Sequence, residues 1–246
     1  MMNTALHEQA WSNPLLRKLD SIADISDEEK QAILDLPAAV KVCEADVDIV
    51  REGECSTDCV LILNGFVCRY KIMPDGRRQI MGFYILGDIP DLQSLHLHVM
   101  DNSLVALVRS SIALIPRKSL RDMLRRHPDL SDVLWRDTLI ETAMVREWLI
   151  GLGRRSAYQR IAHLLCELHV RLRAVGLARE NGCELPITQT EFADALGLST
   201  VHVNRVLQDL RRDGLIVLRG SMLEIPDWRA LQDAGEFDPA YLHLKR

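Results

Sequence analysis

The sequence predicts an α+β chain: a small closed double-stranded β-roll, then one long helix, then a winged helix-turn-helix. Three stretches carry this prediction: β-forming runs between glycine turns at 40–114, an amphipathic stretch at 128–152, and two short helices at 188–212. The predicted segments are N-terminal helices, β-roll, long helix, winged helix-turn-helix and C-terminal tail, in that order. Their residues are 1–37, 38–119, 120–153, 154–228 and 229–246.

Composition places the chain among soluble globular proteins, with 48% hydrophobic and 26% charged residues. The net charge of −5 is uneven, because residues 1–153 carry 17 basic and 23 acidic residues while residues 154–246 carry 13 and 12. Any basic DNA surface must therefore be local. Met1–Asn13 lacks the basic and apolar regions of a secretory signal, and no apolar run approaches the roughly 18 residues that span a bilayer. These features predict a cytoplasmic protein without membrane contact.

The cysteines are scattered and form no Cys-x-x-Cys pair, which is typical of small core residues in a reducing compartment. A metal or iron–sulfur site at the closest pair, Cys55 and Cys59, is the alternative, although such sites usually need three or four close ligands. The six cysteines are Cys43, Cys55, Cys59, Cys68, Cys166 and Cys183.

The N-terminal half changes from helix to strand near Val40. Residues 14–36 have the pattern of short helices, and Ser26 followed by acidic residues indicates a helix start. Turn signals such as Asn64-Gly65 and Asp75-Gly76 then separate strand-length runs. The runs lie at 47–50, 60–63, 66–72, 80–86, 103–108 and 111–115. Seven or eight short strands at this spacing predict a closed β-roll or barrel.

One long helix follows, because Pro128 suits a first helical position and the apolar pattern continues to about Leu152. Such a segment spans roughly 37 Å. Two arrangements fit: a helix packed on its own barrel, or a coiled coil of two chains, which the wide apolar surface favours. Asp137 interrupts the stripe, and Gly151 and Gly153 predict a hinge before the next helix. The apolar stripe contains Val133, Ile140, Met144, Trp148 and Leu152.

The strongest motif is the helix pair at 188–212. Thr188 and Glu191 form a capping-box pattern, Gly197 permits a tight turn, and Ser199 is a good N-cap for the second helix. Val203 supplies the apolar plug that two crossing helices require. A helical hairpin that merely packs is the alternative, but this spacing favours a helix-turn-helix. Residues 215–218 and 222–225 then predict a two-stranded wing.

The outward face of the second helix suits the major groove. Arg205 is the candidate for a bidentate guanine contact, and the methyl groups of Thr200 and Val201 suit a thymine methyl. The hydroxyls and amides at the two helix starts suit phosphates, while His202 and Asn204 have either role open. The predicted DNA-binding residues are Thr188, Gln189, Thr190, Ser199, Thr200, Val201, His202, Asn204, Arg205 and Gln208.

This order of segments resembles the Crp/Fnr superfamily of bacterial transcription regulators over roughly residues 20–228. The most specific stretch is Ile187–Ile216, supported by glycines at 53, 65, 76 and 87. The resemblance implies a cyclic-nucleotide-binding-like β-roll, a homodimer joined through the 128–152 helices, a pseudo-palindromic DNA site, and RNA polymerase as a further partner. Arg205 falls at the guanine-reading arginine of the family. Val201 stands where members often have an acidic residue, so an altered half-site is expected.

The resemblance also bears on cofactors. Members that bind cyclic AMP hold its ribose with a carboxylate and its phosphate with an arginine, but Leu92 and Asn102 occupy those positions here. A buried phosphate without its cation would be costly, so the sequence argues against cyclic AMP. The altered cassette contains Gly87, Asp88, Asp91, Ser94, Asn102 and Ser103.

The other cofactors of the family are not expected either. Residues 1–42 lack the cysteine cluster of the iron–sulfur members, and His96 and His98 alone are a weak indication of haem. A small-ligand or enzymatic module is the rival class. No nucleophile–base pair, phosphate-cradling loop or metal constellation in the sequence supports an enzyme.

Overall fold

The computed structural model describes residues 13–245. Residues 1–12 of the predicted N-terminal segment and Arg246 of the predicted tail lie outside this range. The chain divides into two compact units. The first contains residues 13–71, 83–141 and 244–245, and the second contains residues 72–82 and 142–243.

The helices are numbered here in chain order, with one long helix, α4, contributing to both units. They are α1 (Pro14–Asp20), α2 (Asp27–Leu34), α3 (Arg117–Arg126), α4 (Pro128–Arg154), α5 (Ala157–Ala174), α6 (Gln189–Leu196), α7 (Thr200–Arg212) and α8 (Trp228–Gly235). Two 3₁₀ turns occupy Leu92–Leu95 and Pro239–Leu242. Within residues 13–245, no helix is long and apolar enough to cross a membrane.

Seven strands build the roll and four build a small sheet in the second unit. The roll strands are β1 (Ala39–Cys43), β2 (Asp48–Val50), β3 (Asp58–Asn64), β4 (Val67–Ile72), β5 (Arg78–Tyr84), β6 (Ser103–Ala106) and β7 (Ser110–Pro116). The others are β8 (Ala178–Arg179), β9 (Gly182–Glu184), β10 (Val217–Arg219) and β11 (Met222–Glu224).

The N-terminal helices form where the sequence supplies caps. The side chain of Asn13 accepts bonds from two backbone amides of α1, and Ser26 forms a capping box with Glu29 at the start of α2. Leu16 and Leu19 of α1 are at most 1% exposed, because they pack into the core of the first unit. The predicted helix start at Ser26 is thus present as a reciprocal pair of hydrogen bonds.

The roll consists of two antiparallel layers with strand orders β1-β7-β3 and β2-β6-β4-β5. Ile62, Val67, Leu104 and Ile112 are fully buried in its interior. Strand β1 was not singled out by the apolar runs, because its first four residues are exposed and show no alternating burial. It pairs with β7 from Ala39 opposite Leu114 to Cys43 opposite Ser110.

Helix α4 continues to Arg154, two residues beyond the predicted end, and the break before α5 follows the two glycines instead of falling on them. Both glycines are helical, and the Arg155 amide still donates to the Gly151 carbonyl at 3.1 Å. The break comes instead at Ser156, whose side chain caps α5 in a capping box with Gln159. A strong N-cap therefore decides the boundary, and the glycines do not.

The first half of α4 packs on its own unit. Leu130, Leu134 and Ile140 are at most 5% exposed in that core. Asp137, which interrupts the apolar stripe, lies 3.4 Å from the Lys18 ammonium group. Packing on the chain's own core thus explains one face of the helix. Another face of α4 keeps large apolar side chains exposed, namely Trp135, Leu139, Val145, Leu149, Ile150 and Leu152.

The second unit is built around α5, whose inward side chains Ile161, Leu165 and Leu168 are at most 1% exposed. Its sheet has the order β10-β11-β9-β8. The sequence pattern does not reveal strands β8 and β9. They are two and three residues long, too short for a periodic signal, and β9 forms by pairing with β11.

The wing and the tail differ in detail from the prediction. The first wing strand is Val217–Arg219 rather than 215–218. Helix α8 (Trp228–Gly235) occupies the first part of the segment predicted as a tail. The following segment is part of the core, because Phe237 and Leu242 are 6% and 1% exposed.

Candidate nucleic-acid interface

Helix α6 begins with the predicted capping box. The Glu191 amide donates to Thr188 Oγ1 at 3.3 Å, and the Thr188 amide donates to the Glu191 carboxylate at 2.5 Å. The helix ends at Gly197, whose φ of 61° is left-handed and favours glycine. The sequence therefore fixes both ends of this eight-residue helix.

Helix α7 is fixed by its cap and by its inner face. Ser199 Oγ accepts a hydrogen bond from the His202 amide at 3.2 Å. Val203 and Leu210 are fully buried, and Val206 and Leu207 are at most 4% exposed. These side chains fill the space against α5 and α6, so the opposite face of α7 points to solvent.

The predicted base-reading residues lie on that outer face. Val201 is 78% exposed, and Thr200, Arg205 and Gln208 are also exposed. His202 and Asn204 are half-buried. The predicted phosphate-binding residues Thr188, Gln189, Thr190 and Ser199 cap the two helices or occupy their first turns.

Three amide side chains of the candidate site form one hydrogen-bonded chain. Asn204 Nδ2 donates to Gln189 Oε1 at 3.0 Å, and Gln208 Nε2 donates to Asn204 Oδ1 at 2.9 Å. The spacing of Asn204 and Gln208 by four residues could have predicted the second bond. The first bond joins α6 to α7 and depends on the crossing of the two helices, which no sequence spacing provides.

The acidic side chains near this face are occupied by partners in their own unit. Asp194 pairs with Arg78 at 2.7 Å, and Asp209 pairs with Arg212 at 2.7 Å. Asp213 accepts from the Tyr158 hydroxyl at 2.9 Å and lies 3.3 Å from Arg212. The exposed arginines outside these pairs are Arg205, Arg211 and Arg219. Residues 189–219 carry equal numbers of acidic and basic residues, and these three arginines are the exposed cations outside the ion pairs of this segment.

Behind the helix pair lies a buried polar cluster that the sequence did not reveal. The carboxylate of Glu167 is fully buried and accepts bonds from Tyr241 Oη at 2.8 Å and Trp148 Nε1 at 3.2 Å. Arg171 lies 3.6 Å away. Burial raises the pKa of Glu167, and Arg171 opposes this shift. The cluster joins the end of α4, the middle of α5 and the C-terminal segment.

His163 on α5 extends this cluster towards α8. Its Nδ1 lies 3.1 Å from the Gly235 carbonyl and its Nε2 lies 3.2 Å from Tyr241 Oη. The imidazole also contacts the Phe237 ring edge-on. Burial lowers the pKa of His163. Glu167 and His163 occupy the same helix face four residues apart, but only the folded tail reveals what they bind.

Residues of the altered cassette form hydrogen bonds and an ion pair within the first unit. Asp88 accepts from the Ile85 amide at 2.9 Å and pairs with Lys18 at 2.9 Å. Asp91 is fully buried, and its Oδ1 accepts from the Val60 amide at 2.8 Å. Burial raises the pKa of Asp91 to about 7.

The remaining cassette residues also hold loops. Gly87 has a left-handed φ of 89°. Ser94 Oγ lies 3.5 Å from the Cys59 thiol, and Ser103 Oγ accepts from the Glu52 amide at 2.9 Å. Asn102, at the predicted arginine position, donates to the Asp101 carboxylate at 2.5 Å. The structure therefore places these six residues in the roll and its turns, with neutral or acidic side chains.

Comparison with known proteins agrees with this architecture. The family profile described as a cyclic nucleotide-binding domain matches residues 40–127, and the profile of a Crp-like helix-turn-helix domain matches residues 159–234. The solved structure of FixK2 from Bradyrhizobium japonicum superposes with a TM-score of 0.74 at 27% identity. It covers 81% of this chain and 98% of that one.

Curated relatives match over most of their length. The transcriptional activator protein FnrL of Cereibacter sphaeroides is 30% identical over 218 residues, which cover 85% of this chain and 86% of the relative. A probable transcriptional activator of Rhizobium leguminosarum is 32% identical over 190 residues, covering 77% and 78%. With the β-roll, the long helix and the winged helix-turn-helix in the same order, the chain belongs to the Crp/Fnr family of transcription regulators.

Proposed function

We propose that this regulator acts as a homodimer and reads a pseudo-palindromic DNA site through α7, with Arg205 as the principal base-reading residue. The observation that carries the proposal is the exposed Arg205 guanidinium on the outer face of a helix whose inner face is buried and whose start is capped. An arginine in this position contacts guanine O6 and N7 with two N–H groups, worth about 1–3 kcal/mol of discrimination.

Val201 distinguishes the expected half-site from one read by an acidic side chain. A carboxylate at this position would accept a hydrogen bond from cytosine N4. The isopropyl group of Val201 is 78% exposed and offers only apolar contact, for which a thymine methyl is suited. The proposed half-site therefore contains the guanine of Arg205 with a thymine nearby.

The exposed side of α4 supports the homodimer. Trp135 and Leu149 are 63% and 69% exposed and lie fourteen residues apart, and Val145 and Leu152 are separated by seven. Steps of seven place apolar side chains on one seam of a two-stranded coiled coil. Two copies would present their recognition helices to successive major grooves, about 34–36 Å apart.

For the β-roll, we propose that cyclic AMP does not control the protein. Asn102 offers no charge to a cyclic phosphate, and its amide is already bonded to Asp101. Leu92 likewise offers no carboxylate to a ribose. Calorimetric titration with cyclic AMP is expected to give no heat of binding, and a micromolar dissociation constant would contradict this part of the proposal. We also propose a cytoplasmic location, RNA polymerase as a partner, and no iron–sulfur cluster or haem.

The DNA-binding proposal is tested by selecting duplexes from a random pool and measuring the affinity of the selected site by fluorescence anisotropy. Arg205→Ala is expected to weaken specific binding by about 5-fold to about 150-fold per half-site and to remove the guanine preference. Arg229→Ala is the matched control, because it removes the same charge from the exposed side of α8. Unchanged affinity and base preference in Arg205→Ala would contradict the assignment. Sedimentation of Leu149→Glu, expected to be monomeric, tests the dimer.

A further inference from the structure

We infer that Asn204 is a positioning residue for DNA recognition and that the residue it orients, Gln208, reads adenine in the major groove. The inference rests on the proposed function, since it concerns the same outer face of α7. It starts from the chain of three amides, in which Gln189, Asn204 and Gln208 are joined by bonds of 3.0 and 2.9 Å.

The first step is the hydrogen-bonding capacity of the central amide. An asparagine side chain has one carbonyl oxygen and two N–H groups. Asn204 uses its oxygen to accept from Gln208 and an N–H to donate to Gln189. A rotation of this amide by a half-turn would place N–H against N–H and oxygen against oxygen. The three amides can therefore turn only together, and in either arrangement the carbonyl oxygen of Asn204 and one of its two N–H groups are engaged within the protein.

The second step concerns what Gln208 has left. One of its Nε2 hydrogens goes to Asn204, so the second N–H and the Oε1 carbonyl remain for a ligand. Gln208 is exposed on the outer face of α7. It therefore offers one donor and one acceptor side by side, and the bond to Asn204 limits how this pair can rotate.

The third step is the match to a base. Adenine presents N7 as an acceptor and N6–H as a donor in the major groove, which pairs with the free N–H and the Oε1 of Gln208. Guanine presents two acceptors, N7 and O6, and O6 would face the Oε1 oxygen of Gln208. Gln208 lies three residues after Arg205, a rise of about 4.5 Å along the helix. We therefore expect the adenine within one or two base pairs of the guanine that Arg205 contacts.

The fourth step concerns Gln189, at the other end of the three hydrogen-bonded amides. Gln189 is the first residue of α6, and its carbonyl oxygen is occupied by Asn204. Its two N–H groups are left, and these suit a phosphate oxygen. Asn204 thus links a phosphate contact at the start of α6 to a base contact on α7, so the protein's register on the backbone and its reading of one base pair depend on the same amide.

The test compares base preferences of the full chain and its variants in the same duplex selection. Gln208→Ala is expected to lose the adenine preference at one base pair by about 5-fold to about 150-fold, with the guanine of Arg205 retained. Asn204→Ala is expected to weaken the preference at that same base pair. Asn204→Asp keeps an acceptor for Gln208, so it should retain the adenine preference, and its added negative charge should weaken binding to all sequences alike. Circular dichroism and thermal melting verify that each variant is folded.

Three results would overturn the inference. The first is an unchanged adenine preference in Gln208→Ala, and the second is a loss of base preference at different base pairs in the two alanine variants. The third is a loss of adenine preference in Asn204→Asp as large as that in Asn204→Ala. The second result would mean that Asn204 contacts a base directly. Failure of the proposed function is distinguishable, because then the unmodified protein selects no sequence. A selected guanine that depends on Arg205, together with no effect of the amide variants, would refute only the inference.

Discussion

Helix α8 lies close against the backbone of α5 at Gly235, and replacing this residue by alanine tests how tightly the C-terminal segment packs. An added Cβ would lie 2.6 Å from the His163 nitrogen and 2.9 Å from the Ala162 carbonyl carbon. Both atoms belong to the backbone of α5, so no side chain can move aside. An ordinary contact begins near 3.4 Å, and α8 would therefore have to retreat from α5 by 0.8 Å, the difference between 3.4 and 2.6 Å.

The expected cost follows from this displacement. Overpacking a well-packed core costs about 1–3 kcal/mol. The bond of 3.1 Å between His163 Nδ1 and the Gly235 carbonyl would be stretched as well, and a hydrogen bond contributes about 1 kcal/mol. We expect Gly235→Ala to lower the free energy of unfolding of the second unit by about 2–4 kcal/mol.

Urea unfolding followed by circular dichroism measures the total change. Hydrogen exchange read by mass spectrometry should show lost protection in α5 and α8 and little change in the β-roll. Gly153→Ala is the matched control, because Gly153 is helical, exposed and without any heavy atom within 4 Å of the added Cβ. Helix propensity predicts that this control is unchanged or stabilised by up to about 1 kcal/mol. A change below about 0.5 kcal/mol in Gly235→Ala would refute the close packing of α8 on α5.

Three further substitutions test other parts of the structure. Thr188→Ala removes the cap of α6 and should destabilise the second unit by about 1 kcal/mol in thermal melting, with weaker DNA binding. Val203→Ala empties the buried plug of α7 and should cost about 2 kcal/mol in urea unfolding, whereas exposed Val201→Ala should cost almost nothing. Burial raises the pKa of Asp91 from 3.8 to about 7. The folded state therefore binds the Asp91 proton more tightly than the unfolded state, and the free energy of unfolding that this contributes is fully present below pH 3.8 and is lost as the pH rises through 7. Asp91→Asn should therefore be more stable than the unmodified protein at pH 8, by at most about 4 kcal/mol, and should have no such advantage at pH 4, as urea unfolding at both pH values can show.

The helix-turn-helix could be predicted nearly to the residue, because its determinants are local. A cap at Thr188, a turn at Gly197 and a plug at Val203 each act within a few residues, and the structure contains all three. The roll was predictable at the level of its strand count, since glycine turns and β-forming runs alternate along the chain. In both cases the residues that form the pattern and the interactions that cause the structure are only a few positions apart in the sequence.

Features that depend on distant partners were not predictable. The tail gave no pattern, yet Phe237 and Tyr241 are held by His163 and Glu167 of α5, more than seventy residues earlier. The helical state of Gly151 has a local cause: glycine lowers helix propensity by about 1 kcal/mol, which the rest of a long helix readily offsets. The exposed β1 strand carried no alternation because only its pairing with β7 defines it.

The internal pairing of acidic side chains around α7 determines how the protein should respond to ionic strength. Asp194, Asp209 and Asp213 are engaged within the protein, and Arg205 is assigned to a base. Among the exposed arginines of residues 189–219, Arg211 and Arg219 therefore remain for the phosphate backbone in each protomer. Each phosphate neutralised releases counterions, and the logarithm of the binding constant falls by about 0.9 per phosphate for each tenfold rise in salt. Four arginines in the proposed dimer therefore give a slope of about −4, so the protein would retain much of its DNA affinity in salt concentrations that release strongly basic DNA-binding proteins.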